Sequence, residues 1–119
     1  MVLVDTSVWV SHLRDGNAGL EKLLNHGEVV CHPFIVGELA CGNLQNRHEI
    51  LIHLQSLPKA ISAEDGEVLK FIENHQLMGK GLGYIDVHLI AAALLTAVSL
   101  WTFDKTLGKI SKNIGINYC

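Results

Sequence analysis

Residues 1–9, Met1-Val2-Leu3-Val4-Asp5-Thr6-Ser7-Val8-Trp9, decide the fold class. The apolar run at the start contains β-branched side chains and ends in an acid, which is typical of a buried strand in a parallel sheet. Thr6 and Ser7 can cap the helix that follows, and Trp9 and Leu13 are among its apolar positions. The chain therefore begins with a strand that leads directly into a helix.

The same alternation continues along the rest of the chain. Pro33 is suited to the first position of one helix, and Ser62 and Asp65 have the spacing of a capping box that would open another. Because strands separated by helices require right-handed crossovers, we expect an α/β fold, a three-layer α/β/α sandwich with a mostly parallel central sheet. Further strands are predicted in four places: residues 28–32, 59–61, 99–102 and 114–118.

Length and composition predict a single domain over residues 1–119, with 49% hydrophobic and 18% charged residues. The helix predicted at residues 84–97 is apolar on nearly all faces in its second half, which indicates a central, buried helix. Its apolar run is shorter than the roughly 20 residues that a membrane span needs. Since no basic region precedes an apolar stretch at the N-terminus, we expect a soluble, cytoplasmic protein without a signal peptide.

Cysteine and histidine usage argues against a disulfide scaffold or a zinc site. There are three cysteines, an odd number, and none forms a C-x-x-C pair. The seven histidines are scattered and form no H-E-x-x-H pattern, so we expect most of them at the surface or at an interface.

The net charge of −3 is unusual for a protein that binds nucleic acid, because phosphate contacts normally come from a basic face. The distribution of charge along the chain weakens this argument against a nucleic-acid partner. From Asn74 onward the acids are Asp86 and Asp104 alone, against four lysines. These lysines are either a solvated face or a modest patch that positions phosphate, with Lys80 and Lys105 as possible contacts.

Four acids stand where the apolar pattern predicts none. Asp5 ends the first strand, Asp86 lies in the first turn of the buried helix, and Asp104 follows the strand at residues 99–102. Glu38 is the only charge between Pro33 and Asn46. Ligands of open parallel sheets bind at the carboxyl ends of the strands, so we expect these acids to converge on one edge.

Each of these acids also has an ordinary interpretation. Asp5 and Asp104 could cap helices, Asp86 could favour a helix N-terminus, and Glu38 could simply face solvent. If all four converge, however, they repel one another by about 4 kcal/mol per close pair and require a counter-charge. Because the set contains only oxygen ligands, it suits Mg²⁺ or Mn²⁺ rather than Zn²⁺.

The sequence resembles the PIN-domain ribonucleases, and specifically the VapC-like toxins of type II toxin–antitoxin systems. Four blocks carry the resemblance; they occur in the family's order and cover nearly the whole chain. The blocks are Val4-Asp5-Thr6-Ser7-Val8-Trp9, Val36-Gly37-Glu38-Leu39, Gly83-Tyr84-Ile85-Asp86-Val87-His88-Leu89-Ile90-Ala91-Ala92-Ala93 and Leu100-Trp101-Thr102-Phe103-Asp104-Lys105.

The resemblance implies a Mg²⁺- or Mn²⁺-dependent endoribonuclease of the α/β/α class, which forms homodimers and is bound by a cognate antitoxin. By position, its acidic quartet matches Asp5, Glu38, Asp86 and Asp104. Thr6 or Ser7, together with Thr102, match hydroxyls beside the site, which would orient carboxylates or water. Many members of the family have a basic residue at the position of Phe103, so this chain departs from the family there.

A phosphoacceptor receiver domain is an alternative of similar length and build. It would have paired acids after the first strand and an acceptor Asp at the end of a middle strand, whereas Thr6 follows Asp5 and the strand at residues 28–32 ends in His32. A receiver domain also has no role for an acid at the position of Asp86. An aspartyl phosphatase would need a second Asp two residues after Asp5, where Ser7 stands. The sequence therefore favours the nuclease.

Overall fold

The computed structural model describes residues 1–118, and Cys119 lies outside the described part. Helices and strands alternate as the sequence predicts, and buried apolar side chains from most of these elements form the hydrophobic core. The single-domain organisation of residues 1–119 stays a prediction. Within residues 1–118 the elements are β1 (Val2–Val4), α1 (Thr6–Asp15), α2 (Ala18–Asn25), β2 (Val29–Val30), α3 (Pro33–Ala40), α4 (Arg47–Ser56), α5 (Asp65–Asn74), α6 (Tyr84–Thr96), β3 (Ser99–Trp101) and α7 (Lys105–Ile114).

The sheet is parallel and has the order β2-β1-β3. Isolated parallel bridges between Cys31 and Lys59 and between Leu100 and Asn117 extend it on both sides. The predicted strands at residues 59–61 and 114–118 are therefore present only as single bridges, since each segment pairs with the sheet at one residue. The parallel sheet with its helical connections confirms the predicted α/β sandwich.

The position of β1 in the middle of the sheet determines where polar residues emerge. Its three side chains are at most 4% exposed, because neighbouring strands and helices cover both faces. The backbone N–H of Asp5 donates to the carbonyl of Trp101 at 2.9 Å. The residues that follow β1 and β3 thus leave the same edge of the sheet side by side, as expected for parallel strands.

Helix α6 is buried along its middle, as predicted, but not at its end. Residues 87–93 are all buried, and three consecutive alanines among them leave room for close packing. In contrast, Leu94 is 36% exposed and Leu95 45% exposed, because they line an open groove between α5 and α6. Among the described residues, no helix is long and apolar enough to cross a membrane.

Two local predictions are wrong. Asp5, not Thr6 or Ser7, occupies the N-cap position of α1, and both hydroxyls bond elsewhere. The capping box of α5 is formed by Glu64 and Glu67, because the helix begins at Asp65 rather than at Ser62.

The seven histidines do not all lie near the surface. His32 and His88 are 1% and 2% exposed, and their ring centroids lie 6.5 Å apart. Burial, with a smaller effect of His88, lowers the pKa of His32 to about 4, so that ring is neutral at physiological pH. Its Nδ1 accepts the N–H of Phe34 at 3.0 Å and caps α3, so this buried imidazole stabilises the start of the helix.

The burial of α6 gives a direct test of the core. We expect Leu89→Ala to lower the free energy of unfolding by about 2–5 kcal/mol, because Leu89 is fully buried and its truncation leaves a cavity. Leu95→Ala, in the same helix, should change it by about 0.5 kcal/mol or less. Urea denaturation of both variants checks this, and equal effects would contradict the placement of α6.

Candidate active site

Asp5 is a buried carboxylate whose position is fixed through one oxygen. It is 7% exposed. Its Oδ2 accepts hydrogen bonds from Ser7 Oγ and from Thr102 Oγ1, both at 2.7 Å. Within residues 1–118, no hydrogen bond reaches Oδ1. One oxygen thus anchors the side chain while the other is free to bind a ligand.

The same two hydroxyls also organise the connection between β3 and α7. Ser7 Oγ accepts the N–H of Phe103, and Thr102 Oγ1 accepts the N–H of Asp104, both at 3.0 Å. Each hydroxyl therefore donates to Asp5 and accepts from the backbone of the loop. This arrangement holds residues 103–104 against the start of α1.

Asp104 is exposed and caps α7. Its Oδ1 accepts the N–H of Leu107 at 2.8 Å, so the ordinary interpretation as a helix cap is confirmed. This bond uses one carboxylate oxygen and leaves Oδ2 without a hydrogen bond among the described residues. Capping and ligand binding are therefore compatible in this side chain.

Asp86 lies half-buried in the first turn of α6, where its Oδ2 accepts the N–H of Gly83 at 3.1 Å. Burial is the main cause that raises its pKa, and the negative charges of Asp5 and Asp104 raise it further. The hydrogen bond from Gly83 acts in the opposite direction. The three aspartates thus lie near enough to repel one another, as the convergence argument predicts.

Glu38 joins this group through Thr6. It is exposed on α3, and its Oε1 accepts a hydrogen bond from Thr6 Oγ1 at 2.8 Å. Because Thr6 directly follows Asp5, this bond fixes Glu38 beside the end of β1. The structure therefore brings all four predicted acids to the carboxyl edge of the sheet.

The acids lack a protein counter-charge. Among residues 1–118, Arg14 forms an ion pair with Asp15 and the His88 ring lies 3.5 Å from the carboxylate of Asp65; neither contact involves the four acids. In the same residues, no three His, Cys, Asp or Glu side chains converge closely enough to share one metal ion as they stand. The acids are neighbours with free oxygens, and their donor set suits a hard divalent cation. A bound ion would require these side chains to close around it.

The two candidate phosphate contacts lie at the rim. Lys105 is the first residue of α7, next to Asp104, and Lys80 is in the loop before α6; both are exposed. Gly81 packs against this first turn of α7, since a Cβ at Gly81 would stand 3.8 Å from Thr106 Cγ2. Neither lysine forms an ion pair with a described acid.

Sequence reasoning did not identify the backbone donor at Gly83 that orients Asp86. The signal was available, because Gly83 and Asp86 have the N-cap and N3 spacing of a helix start. It also did not identify Tyr84, whose Oη donates to Asp65 Oδ1 at 2.9 Å and ties the start of α6 to α5. No short-range pattern marks that pair, since it depends on tertiary packing.

A parallel α/β sheet with unneutralised carboxylates at its carboxyl edge defines the class of protein. The family model of the PIN domain matches residues 2–113, and the chain belongs to the PIN-domain family. Two relatives are 39% identical to this chain over 117 residues, which are 98% of this chain and 94% of each relative. Both are named Ribonuclease VapC32, and they come from two different strains of Mycobacterium tuberculosis.

A solved structure agrees on the fold. The crystal structure of PAE2754 from Pyrobaculum aerophilum matches with a TM-score of 0.63 at 20% identity, covering 93% of this chain and 79% of that one. Family membership leaves the receiver-domain alternative without support, since the chain matches the PIN domain over nearly its whole length.

The raised pKa of Asp86 predicts how the metal-free fold depends on pH. Below its ordinary pKa the carboxyl is protonated in both folded and unfolded chains and has no effect. As the pH rises through the raised folded-state pKa, ionisation opposes folding and stability is lost. We therefore expect Asp86→Asn to be more stable than the wild type in EDTA at neutral pH, with the difference vanishing in acid.

Thermal unfolding in EDTA at neutral and acidic pH measures this difference. Asn retains an oxygen that can accept the Gly83 N–H, so the helix start is preserved. Glu73→Gln, an exposed acid of α5, is the control and should show no such gain. An Asp86→Asn protein less stable than wild type at neutral pH would show that burial and the charges of Asp5 and Asp104 do not disfavour ionised Asp86 as described.

Proposed function

We propose that this chain is a divalent-metal-dependent endoribonuclease that acts as the toxin of a toxin–antitoxin pair. The observation that carries the proposal is that the four acids lie together at the carboxyl edge of the sheet, and that no Lys or Arg of the described residues pairs with any of them. The name of the 39% identical relative, Ribonuclease VapC32, supports RNA as the substrate.

The four acids would have different roles. Asp5, Asp86 and Glu38 would hold the principal ion; each of them, like Asp104, has one oxygen anchored by a protein donor and another without one. Asp104 would hold a second ion or orient the attacking water from the start of α7. When bound, Mg²⁺ or Mn²⁺ supplies charge stabilisation for the phosphoryl and leaving oxygens of an in-line displacement.

Three hydroxyls would keep the acids in position. Ser7 and Thr102 fix Asp5 through Oδ2, and Thr6 fixes Glu38 through Oε1. Groups that orient metal ligands restrict their rotamers, so less entropy is lost when the ion binds. These residues would act through the carboxylates and would not contact the scissile phosphate.

The substrate and partners follow from the same proposal. Lys80 and Lys105 would contact phosphates of the RNA, since both are exposed and lie in segments that meet at the start of α7. A cognate antitoxin and a second copy of the chain are the protein partners that we propose on the basis of family membership. We propose the cytoplasm as the place of action.

Loss of one acid should abolish cleavage without unfolding the protein. We expect Asp86→Asn to lower the rate of RNA cleavage in Mg²⁺ by at least about 100-fold, because it weakens the grip on the ion and removes charge from the site. EDTA should stop the wild type equally, and added Mn²⁺ or Mg²⁺ should restore it. Glu73→Gln is the matched control and should cleave normally. Undiminished, EDTA-resistant cleavage by a folded Asp86→Asn protein would refute the assignment.

The hydroxyl positions predict a different effect. Thr6→Val and Thr102→Val retain side-chain shape but lose the bonds to Glu38 and Asp5, so the carboxylates become mobile. We expect the Mg²⁺ concentration for half-maximal activity to rise about 10- to 100-fold, while activity at saturating Mg²⁺ falls less. Titration of cleavage against Mg²⁺ measures both, with Thr106→Val, in the first turn of α7, as the control. An unchanged titration curve would show that these hydroxyls do not position the ligands.

A further inference from the structure

Phe103 is an exposed aromatic residue set among the acids. It lies between Thr102, which bonds to Asp5, and Asp104, and its side chain is 50% exposed. Its backbone is held in place because its N–H donates to Ser7 Oγ at 3.0 Å. The ring is therefore presented to solvent from a rigid segment of the site.

Other aromatic rings support Phe103 from behind. Trp101 contacts it edge-to-face, with ring centroids 5.9 Å apart and an interplanar angle of 86°. Trp101 also packs on Tyr118 at 5.2 Å. Since one edge-to-face contact covers at most one face of a ring, the other face of Phe103 is available to a ligand.

A single exposed apolar side chain is ordinary on a protein surface. Leu69, which is 59% exposed on α5, is such a residue. Phe103 differs because both of its neighbours in sequence belong to the acid cluster and its backbone is fixed by a hydroxyl of that cluster. A ligand held at the acids by its phosphate would therefore have its adjacent groups near the segment that carries this ring.

We propose that Phe103 is a stacking platform for an unpaired nucleobase next to the scissile phosphate. The inference rests on the proposed ribonuclease function. Every nucleobase has a π face that an aromatic ring can stack on, and only unstacked bases of single strands, loops or bulges are free to use it. Stacking needs no positive charge, which suits a site formed by acids in a chain of net charge −3.

Affinity for RNA tests the platform without requiring cleavage. The non-cleaving Asp86→Asn protein is titrated into fluorescently labelled single-stranded oligoadenylate, and binding is followed by anisotropy. We expect an added Phe103→Leu to weaken binding roughly 5- to 150-fold, the range for loss of one base–aromatic stack, and Phe103→Trp to preserve it. Leu69→Ala in the same background is the control and should bind normally.

The salt dependence separates stacking from charge. Because Phe103→Leu removes no phosphate contact, the slope of log affinity against log salt should not change. Phe103→Arg should instead steepen that slope by about one ionic contact. If Phe103→Leu binds oligoadenylate as well as its parent does, the platform is refuted, and the exposed ring would then face a protein partner or a second copy of this chain.

Cleavage locates the stacked base. The single-stranded oligoribonucleotide that the otherwise wild-type protein cuts is resynthesised with an abasic residue on one side of the cut or the other. At one of these positions the abasic substitution should lower kcat/KM for the wild type but have no further effect in Phe103→Leu. If the Phe103→Leu substitution and the abasic residue lower kcat/KM independently and additively, the ring and the base are not in contact.

The two proposals fail in different ways. If the wild-type protein binds RNA through Phe103 but does not cut it with Mg²⁺ or Mn²⁺, the nuclease function is wrong, and Phe103 is a base-stacking residue of an RNA-binding site. If the protein cuts RNA but neither Phe103→Leu nor the abasic residues change its affinity or kcat/KM, the platform is wrong and the nuclease stands. Circular dichroism confirms in each case that the Phe103 variants are folded.

Discussion

Two hydroxyl groups share one oxygen of a buried carboxylate, and the geometry of the whole site depends on this arrangement. Asp5 ends the central strand, and its Oδ2 accepts hydrogen bonds from Ser7 and Thr102. Because these donors come from α1 and from the end of β3, they join two segments distant in sequence at the edge of the sheet. Without them the buried carboxylate would lack compensation for its lost hydration.

The acids outside the core are held in the same way, with one oxygen bound to a neutral donor. Gly83 anchors Asp86, and Thr6 anchors Glu38. Neutral donors fix direction without neutralising charge, so the negative charges of Asp5 and Asp104 remain and add to burial, the main cause, in raising the pKa of Asp86. A salt bridge would have made the metal-free fold more stable but would have competed with any cation. The fold thus retains a repulsion that a bound divalent ion can relieve.

The sequence predicted the fold and the convergence of the acids because both depend on short, regular signals. An apolar run ending in Asp5 fixes a strand and its carboxyl edge, and the parallel arrangement then places Thr102 beside it. What it did not predict depends on side-chain direction in three dimensions. Thr6 and Ser7 have the sequence of helix caps, yet tertiary neighbours compete for their hydroxyls. The burial of His32 and His88, and the exposure of Leu95, follow from which element packs alongside, which no local pattern encodes.

The departure at Phe103 has a physical consequence for how a negatively charged site can hold a polyanion. A basic side chain at this position would attract phosphate, and its charge would also partly neutralise Asp104 and compete with a cation for its carboxylate. An aromatic ring avoids this competition, because its attraction to a base does not weaken the acids' hold on a metal. In the proposed function, the attraction of phosphate would then come from Lys80 and Lys105. In the proposed function, base stacking by Phe103 and metal binding by the acids would be separate roles of adjacent residues, linked through the backbone that Ser7 and Thr102 hold in place.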